Sequence, residues 1–342
     1  MTRMALTPRG AGGSRPPSMA DVAANAGVSH QTVSRVLNQH PLVKEATRAR
    51  VLAAIEELGY RRNYAARALV TNRSGNIGMV AAHLALYGPS MVAAAVQEAG
   101  HAAGYGVALI GLPELTVESL HSAVDRLLDQ AVEALVVAVA HPDAIGAVAA
   151  LELPIPVVLT QGILPGQTMA AGIDQQRGGE LATQHLLDQS GRGVAHVTGP
   201  LDWVEARQRR DGWSLAHESR GIALGPEVAG DWSAGSGYRA ANMLIEDPSV
   251  DAVFAANDAM ALGVLRALHE RGLDVPGRVR VVGFDDVPEA GHYWPPLSTV
   301  RQDFGALGQR AVDLTLRALG GEQDAAAELV EPVLVARRSS GA

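Results

Sequence analysis

The chain has no cysteine, and Lys44 is the single lysine among its 28 basic residues. Without cysteine there is no disulfide, thiolate metal site, iron–sulfur cluster or cysteine nucleophile. No Gly-Lys-Ser/Thr surrounds Lys44, which excludes a P-loop and leaves that one side chain for any Schiff base. Neither G-x-S-x-G nor H-E-x-x-H occurs, and the eleven histidines are dispersed without metal-ligand spacing. No catalytic constellation, cofactor or metal is therefore expected. No uncharged apolar run of 18 residues exists, and the Gly-, Pro- and Arg-rich stretch 1–17 has no apolar run of seven. We expect a cytoplasmic protein with neither membrane span nor secretory signal, residues 1–17 forming a disordered tail in which Met4, or Met19 beyond it, is an alternative start.

What is present is an ordinary globular composition: 342 residues, 47% hydrophobic and 19% charged, enough for two or three packed domains. The net charge of −8 conceals an asymmetry. Residues 1–74 hold eleven Arg/Lys against Asp21, Glu45, Glu56 and Glu57, a balance of +7, which leaves −15 on the remainder. A basic first fifth joined to an acidic body points to an arm for a polyanion and a body with a different task.

The local pattern agrees. Ser18 and Asp21 make a capping-box start, Met19, Val22, Ala23 and Ala26 recur at helical spacing, and Gly27 supplies a stop. Ser29 can cap a second helix over Gln31 to Asn38, where Val33, Val36 and Leu37 form one stripe and His30, Gln31, Ser34, Arg35 and Asn38 fall largely outside it. A third helix is expected over Lys44 to Leu58, burying Val51, Leu52, Ile55 and Leu58 and ending at Gly59. Together these suit a helix-turn-helix whose second helix enters the major groove. Arg35 can fork onto guanine, Gln31 can pair with adenine, and Ser29, Thr32 and Ser34 can reach phosphates or bases.

The unbroken run Met19-Ala-Asp-Val-Ala-Ala-Asn-Ala-Gly-Val-Ser-His-Gln-Thr-Val-Ser-Arg-Val-Leu-Asn38 resembles the headpiece of the LacI/GalR family of bacterial transcription regulators. That resemblance implies DNA contacts from Ser18, Met19, Ser29, His30, Gln31, Thr32, Ser34, Arg35 and Asn38. It also makes the alanine-rich segment after Tyr60 a hinge helix, too short to hold alone in water. In the family that segment folds when two copies meet in the minor groove; here Asn63, Ala66 and Leu69 would contact DNA, with Leu69 wedged between base steps.

Beyond Asn76, continuous apolar runs alternate with helical patterns. Strands are expected near 77–82, 107–111, 135–140, 157–160, 194–198, 252–255 and 279–283, with helices near 89–99, 117–130, 175–189, 204–218, 238–246, 258–271 and 305–319, and a last strand at 329–335. This is the signature of parallel sheets covered on both faces, and the number of units implies two sheets. The resemblance identifies the body as periplasmic-binding-protein-like, with two lobes closing on a small ligand and the chain crossing between them near 173, 302 and 332. The expected organisation is thus an α/β body at 75–342, a hinge at 61–74, a helix-turn-helix domain at 18–60 and the tail.

The resemblance is carried in the body by Leu84–Ser90, Gly230–Ala234, Ala256–Gly263, Val281–Asp286 and Gln302–Phe304. It implies an effector site in which Arg209, Asn257 and Asp285 bind hydroxyls, Trp232 stacks on a sugar's apolar face, Gln302 and Phe304 come from a crossing strand, and Gly88, Pro89 and Val92 form a wall. Gln161 stands where the family's sugar site has an aspartate, and Trp203 where a small serine is usual, so the sugar class is implied and the sugar is not. One arginine, one carboxylate and amides around an indole suit a neutral, galactoside-like saccharide rather than a sugar phosphate.

Several residues have plainer readings. Trp232 can simply pack, Asn257 and Asp258 can cap a helix, Arg209 can lie on the surface beside Arg207 and Arg210, and Asp285-Asp286 can cap the segment after them. Gly235-Ser-Gly-Tyr-Arg-Ala240 matches a dinucleotide G-x-G-x-x-A, a weak fingerprint this far into the chain.

The resulting expectation is a repressor of a carbohydrate operon that binds pseudo-palindromic operator DNA and is released by a sugar. Family members that tetramerise continue into a leucine-heptad helix, which this chain lacks after Val335, so a homodimer is expected. The alternatives are a solute-binding transport protein sharing the body fold, a sugar-active enzyme, or a family regulator with a non-sugar or co-repressing ligand.

Overall fold

The computed structural model describes residues 15, 17–37, 40–60, 73–113 and 116–341. The chain separates into two compact units, Met1–Arg73 and Ser74–Ala342.

The first unit holds α1 (Met19–Ala26), α2 (His30–Leu37) and α3 (Glu45–Leu58). The Ser18 N–H donates to the Asp21 carboxylate at 2.7 Å, and the Asp21 N–H donates back to the Ser18 hydroxyl at 3.4 Å. This reciprocal cap holds the Asp21 carboxyl below its usual range and satisfies N–H groups that the helix start would otherwise leave open. Gly27 and Gly59 both adopt φ near +60°, the left-handed conformation that ends α1 and α3. Val22, Ala23, Ala26, Val33, Val36, Val51, Ala54 and Tyr60 form the core. Leu52, expected inside, is 52% exposed, and Ala54 faces inward instead. The reason is rotational: 51, 54, 55 and 58 fall within one stripe, and 52 stands about 100° off it.

In the second unit, β1 (Asn76–Ala82), β2 (Gly106–Leu112), β3 (Ala134–Val139), β4 (Val157–Gln161), β5 (Ala170–Ile173) and β11 (Glu328–Val330) form a sheet in the order β11-β5-β4-β3-β1-β2, every pair parallel. A second sheet runs β12-β10-β9-β8-β6-β7, from β6 (Ala195–Thr198), β7 (Glu227–Ala229), β8 (Ala252–Ala255), β9 (Arg280–Asp285), β10 (Ser298–Arg301) and β12 (Val333–Val335). Its pairs are parallel except β10 with β12. Every residue of β3 and of β8 is buried, as a sheet covered on both faces requires.

The covering helices are α4 (Tyr87–Ala102), α5 (Val117–Leu128), α6 (Pro142–Ala149) and α11 (Phe304–Leu319) in the first lobe. In the second they are α7 (Gln175–Ser190), α8 (Val204–Arg220), α9 (Ala234–Leu244) and α10 (Asp258–Glu270). The chain passes between sheets after β5, after β10 and between β11 and β12, at the three expected places. The single strand expected at 329–335 is instead two, one in each sheet. Pro332 offers no N–H to a ladder, and the chain changes sheets there.

Two close approaches shape the second lobe. A Cβ on Gly179 of α7 would collide with the Arg209 carbonyl of α8, and one on Gly212 of α8 would collide with the Gln176 carbonyl of α7. Likewise Gly237, in the G-x-G-x-x-A stretch, lies against the Met260 carbonyl of α10. That pattern therefore serves helix packing.

Candidate functional site

In the first unit, α2 turns Val33 and Val36 into the core and leaves His30, Gln31 and Arg35 exposed, with Thr32 and Ser34 half-buried. Ser29 caps α2: its hydroxyl accepts the Thr32 N–H at 3.2 Å and lies 2.9 Å from the Thr32 hydroxyl. Ser18 and Met19 are half-buried at the start of α1, the Ser18 hydroxyl engaged with Asp21. One basic, polar helix face is thus free to meet a polyanion. Asn38, Asn63, Ala66 and Leu69 lie outside the described residues.

In the second unit, a cleft between the lobes holds about 560 Å³ of space not filled by atoms, part of it open to solvent. The structure brings all ten residues of the expected effector site to it. Gly88, Pro89 and Val92 come from the first turns of α4, Gln161 from the end of β4, and Gln302 and Phe304 from the crossing after β10. Opposite them stand Arg209 of α8, Trp232 after β7, Asn257 after β8 and Asp285 at the end of β9. Strand ends of parallel sheets are where such folds leave room for ligands. Gln161, Trp232 and Asp285 have φ of 79°, 69° and 112°, strained values for residues with a Cβ, gathered at one place.

The polar groups form a closed ring. Arg209 Nε donates to Gln175 Oε1 at 2.8 Å, Gln175 Nε2 to Gln302 Oε1 at 2.9 Å, and Gln302 Nε2 to Asp285 Oδ1 at 2.7 Å. The Arg209 guanidinium closes it, 3.8 Å from Asp285, while also donating to the Ala256 carbonyl and lying 3.8 Å over the Phe284 ring. Arg209 is 6% exposed; it is Arg207 and Arg210 that turn outward, to the Leu201 carbonyl and to Glu227. Burial pushes the Asp285 carboxyl up to about 6, with Arg209 and Gln302 pulling it back. Asp258 behind it is also raised, by burial and then by Asp285, and accepts from Thr299 Oγ1 and the Val287 N–H.

The plainer readings resolve individually. Asn257 does both tasks: it caps α10 by accepting the Met260 N–H, donates to the Trp232 carbonyl, and lines the cleft. Asp286 accepts from Arg301 and Arg337, each at 2.7 Å, and the N–H of Val287 after it is taken by Asp258. Trp203 lines the cleft edge-on to Trp232, ring centroids 5.6 Å apart, and its ring also lies near those of His83 and His141 of the opposite lobe, at 5.0 and 5.2 Å.

Sequence reasoning missed Gln175, Glu205 and Tyr87. Glu205 had a signal, since it precedes Arg209 by four residues and so shares its helix face. Gln175 had none, because only the folded crossing brings it beneath Arg209.

Residues 18–63 match the family described as "Bacterial regulatory proteins, lacI family", and residues 183–340 match a "Periplasmic binding protein-like domain". The lactose operon repressor of Escherichia coli K12 is 37% identical over 95% of this chain and 91% of its own length. The chain belongs to the LacI family. Another member, the ribose operon repressor of the same strain, is 33% identical over 88% of this chain and 93% of its own. Among solved structures, a Lac repressor dimer bound to operator and the anti-inducer ONPF matches this LacI-family chain with a TM-score of 0.84 at 36% identity, over 96% of this chain and 100% of that one. The regulator CelR in complex with cellobiose matches with a TM-score of 0.71 at 31% identity, over 94% and 99%. No helix among the described residues is long and apolar enough to cross a membrane.

Proposed function

We propose that this LacI-family chain is a transcriptional repressor that binds operator DNA as a homodimer and releases it when a neutral saccharide fills the cleft. The observation that carries the reading is the ring Arg209–Gln175–Gln302–Asp285, in which Gln302 belongs to a segment joining the lobes. A ligand that engages this ring from a cleft lined on its other side by Gly88, Pro89 and Val92 touches both lobes and one of the connections between them, so it can favour one lobe arrangement over another. Arg35, Gln31 and His30 read bases, and Ser29, Thr32 and Ser34 complete the contact with DNA. Two headpieces brought together by paired bodies fit a two-fold site. Relatives named for lactose and ribose operons, and one solved with cellobiose, set the sugars to try first.

The test is a gel-shift with DNA upstream of the protein's own gene, titrated with galactosides, glucosides and ribose. The reading requires a specific shift that one of these sugars abolishes. A shift that no sugar alters refutes the effector assignment and leaves the DNA assignment standing.

A further inference from the structure

β1 and β3 are neighbours in the first sheet, with Ala81 beside Ala138, so the residues that follow them emerge side by side at the strand ends. Those residues include His83 and His141, whose ring centroids stand 5.7 Å apart. The second lobe meets them with Asp202 and Trp203, just ahead of α8. The Trp203 ring lies 5.0 Å from His83 and 5.2 Å from His141, and His141 Nε2 is 3.6 Å from the Asp202 carboxylate. Beside them the Val204 N–H donates across the lobes to the Ala140 carbonyl at 2.8 Å. One cluster thus joins the two lobes outside the Arg209 ring.

Two of its atoms, His83 Nε2 and His141 Nδ1, are buried without a hydrogen-bond partner. A neutral imidazole carries one N–H and one lone pair, and it can turn the lone pair to the position that offers no acceptor. In His141 that tautomer leaves the Nε2–H for Asp202. An imidazolium has no such choice: it places an N–H at both nitrogens and leaves a buried donor open. Protonating both rings also sets two cations side by side, and the Asp202 side chain is 69% exposed, so water screens what it returns.

The described ionisable groups that act on His83 are His141 and Asp202. β2 ends beside His83 on the apolar Leu112, whose carbonyl accepts the His83 N–H. The first turn of α6 carries Asp143, and that of α8 carries Glu205 and Arg207, the last turned to the Leu201 carbonyl. Burial, and then the neighbouring His141, push the His83 imidazole below its ordinary 6.5, with Asp202 opposing them. An imidazole so lowered supports the closed contact above pH 6.5, and that support is lost as pH falls below it.

We infer that His83 and His141 form a proton-sensitive latch between the lobes, which holds while both rings are neutral and loosens when they take up a proton. The latch does not depend on what fills the cleft. Because Trp203 also lines the cleft, a proton and a cleft ligand act on the same lobe contact.

The experiment is residue-resolved hydrogen exchange on the full chain, without DNA or sugar, at pH 7.5, 6.5 and 5.5 and corrected for intrinsic rates. Val204 is the first residue of α8, so its N–H has no partner within the helix and its protection reports the lobe contact. The Arg207 N–H, bonded to the Trp203 carbonyl, reports fraying of the helix instead. Uptake of one proton on opening predicts about a tenfold loss of Val204 protection between pH 7.5 and 5.5, with Arg207 unchanged. The double variant His83→Asn with His141→Gln abolishes that pH dependence; asparagine suits the left-handed backbone of His83, at φ 53°. Asp202→Asn steepens it, because the carboxylate that offsets a proton in the closed contact is gone, and this exposed substitution carries the test if the double variant does not fold. Val204 protection that ignores pH, falls equally in the double variant, or falls less in Asp202→Asn overturns the latch. Parallel loss at Arg207 assigns the effect to helix fraying and overturns it as well.

Discussion

Gly179→Ala sets two effects of opposite sign against each other. Within a helix, alanine is ordinarily favoured over glycine by about 1 kcal/mol. Here the new Cβ stands 3.0 Å from both Cα and the carbonyl carbon of Arg209, and nearer still to its oxygen. Carbon atoms rest at about 3.5–4.0 Å, so α8 has to retreat by roughly 0.5–1 Å around Arg209. Overpacking of this kind costs about 1–3 kcal/mol and outweighs the propensity gain. The same retreat stretches the 2.8 Å Arg209–Gln175 bond towards the limit of about 3.5 Å at which such a bond is lost. A hydrogen bond to a charged group contributes about 1.5–3 kcal/mol, so its loss adds to the destabilisation, and the displaced guanidinium should weaken sugar binding. Thermal melts and sugar titrations of the DNA-free protein check both effects. The control is Gly146→Ala in α6, where nothing lies within 4 Å of the new Cβ and stabilisation is expected. If Gly179→Ala melts at or above the wild-type temperature and binds sugar normally, the claim that helix contact sets the position of Arg209 is wrong.

Arg35→Ala should weaken specific operator binding by about 1–3 kcal/mol and relax preference at one base position; equal loss on random DNA in a gel-shift would make Arg35 a phosphate contact. Asp285 sits at about 6 in the fold against 3.8 in its ordinary state, so its contribution to stability is full below 3.8 and is lost as pH rises to 6. Asp285→Asn should flatten that part of the melting profile and lower sugar affinity at neutral pH. His196, stacked on Phe254 with centroids 4.6 Å apart, is lowered from 6.5 to about 3 by burial, so its contribution is present above 6.5 and lost as pH falls toward 3. His196→Phe should therefore reduce acid sensitivity between pH 6.5 and 4.5, by up to about 1.4 kcal/mol per pH unit; an unchanged acid slope would mean that the imidazole is not held neutral by the core.

Legibility in the sequence followed the physics of each element. The runs of β3 and β8 are apolar throughout because both sheet faces are covered, and they are recognisable from sequence alone. Ala170–Ile173 is two alanines and a glycine before its isoleucine, and Ser298–Arg301 carries Ser, Thr and Arg, so neither stands out as an apolar run although each is paired in a sheet. The α9 start at Ala234, ahead of the expected Tyr238, comes from Ser233, whose side chain accepts the Ser236 N–H in a stretch whose glycines read as a loop. At the cleft, the expected residues came from family resemblance, and spacing alone would not have assembled them. Glu205 escaped notice although it precedes Arg209 by one helical turn and lines the cleft with it.

If the proposed function holds, the cleft of the body and the exposed face of α2 share one free-energy balance. Its most direct test is calorimetric titration of the sugar that binds wild type, with and without saturating operator DNA. Linkage requires DNA to weaken sugar binding by the same factor by which the sugar weakens DNA binding. That reciprocal loss is the predicted result. Sugar affinity that is unchanged or increased on the operator would contradict the account.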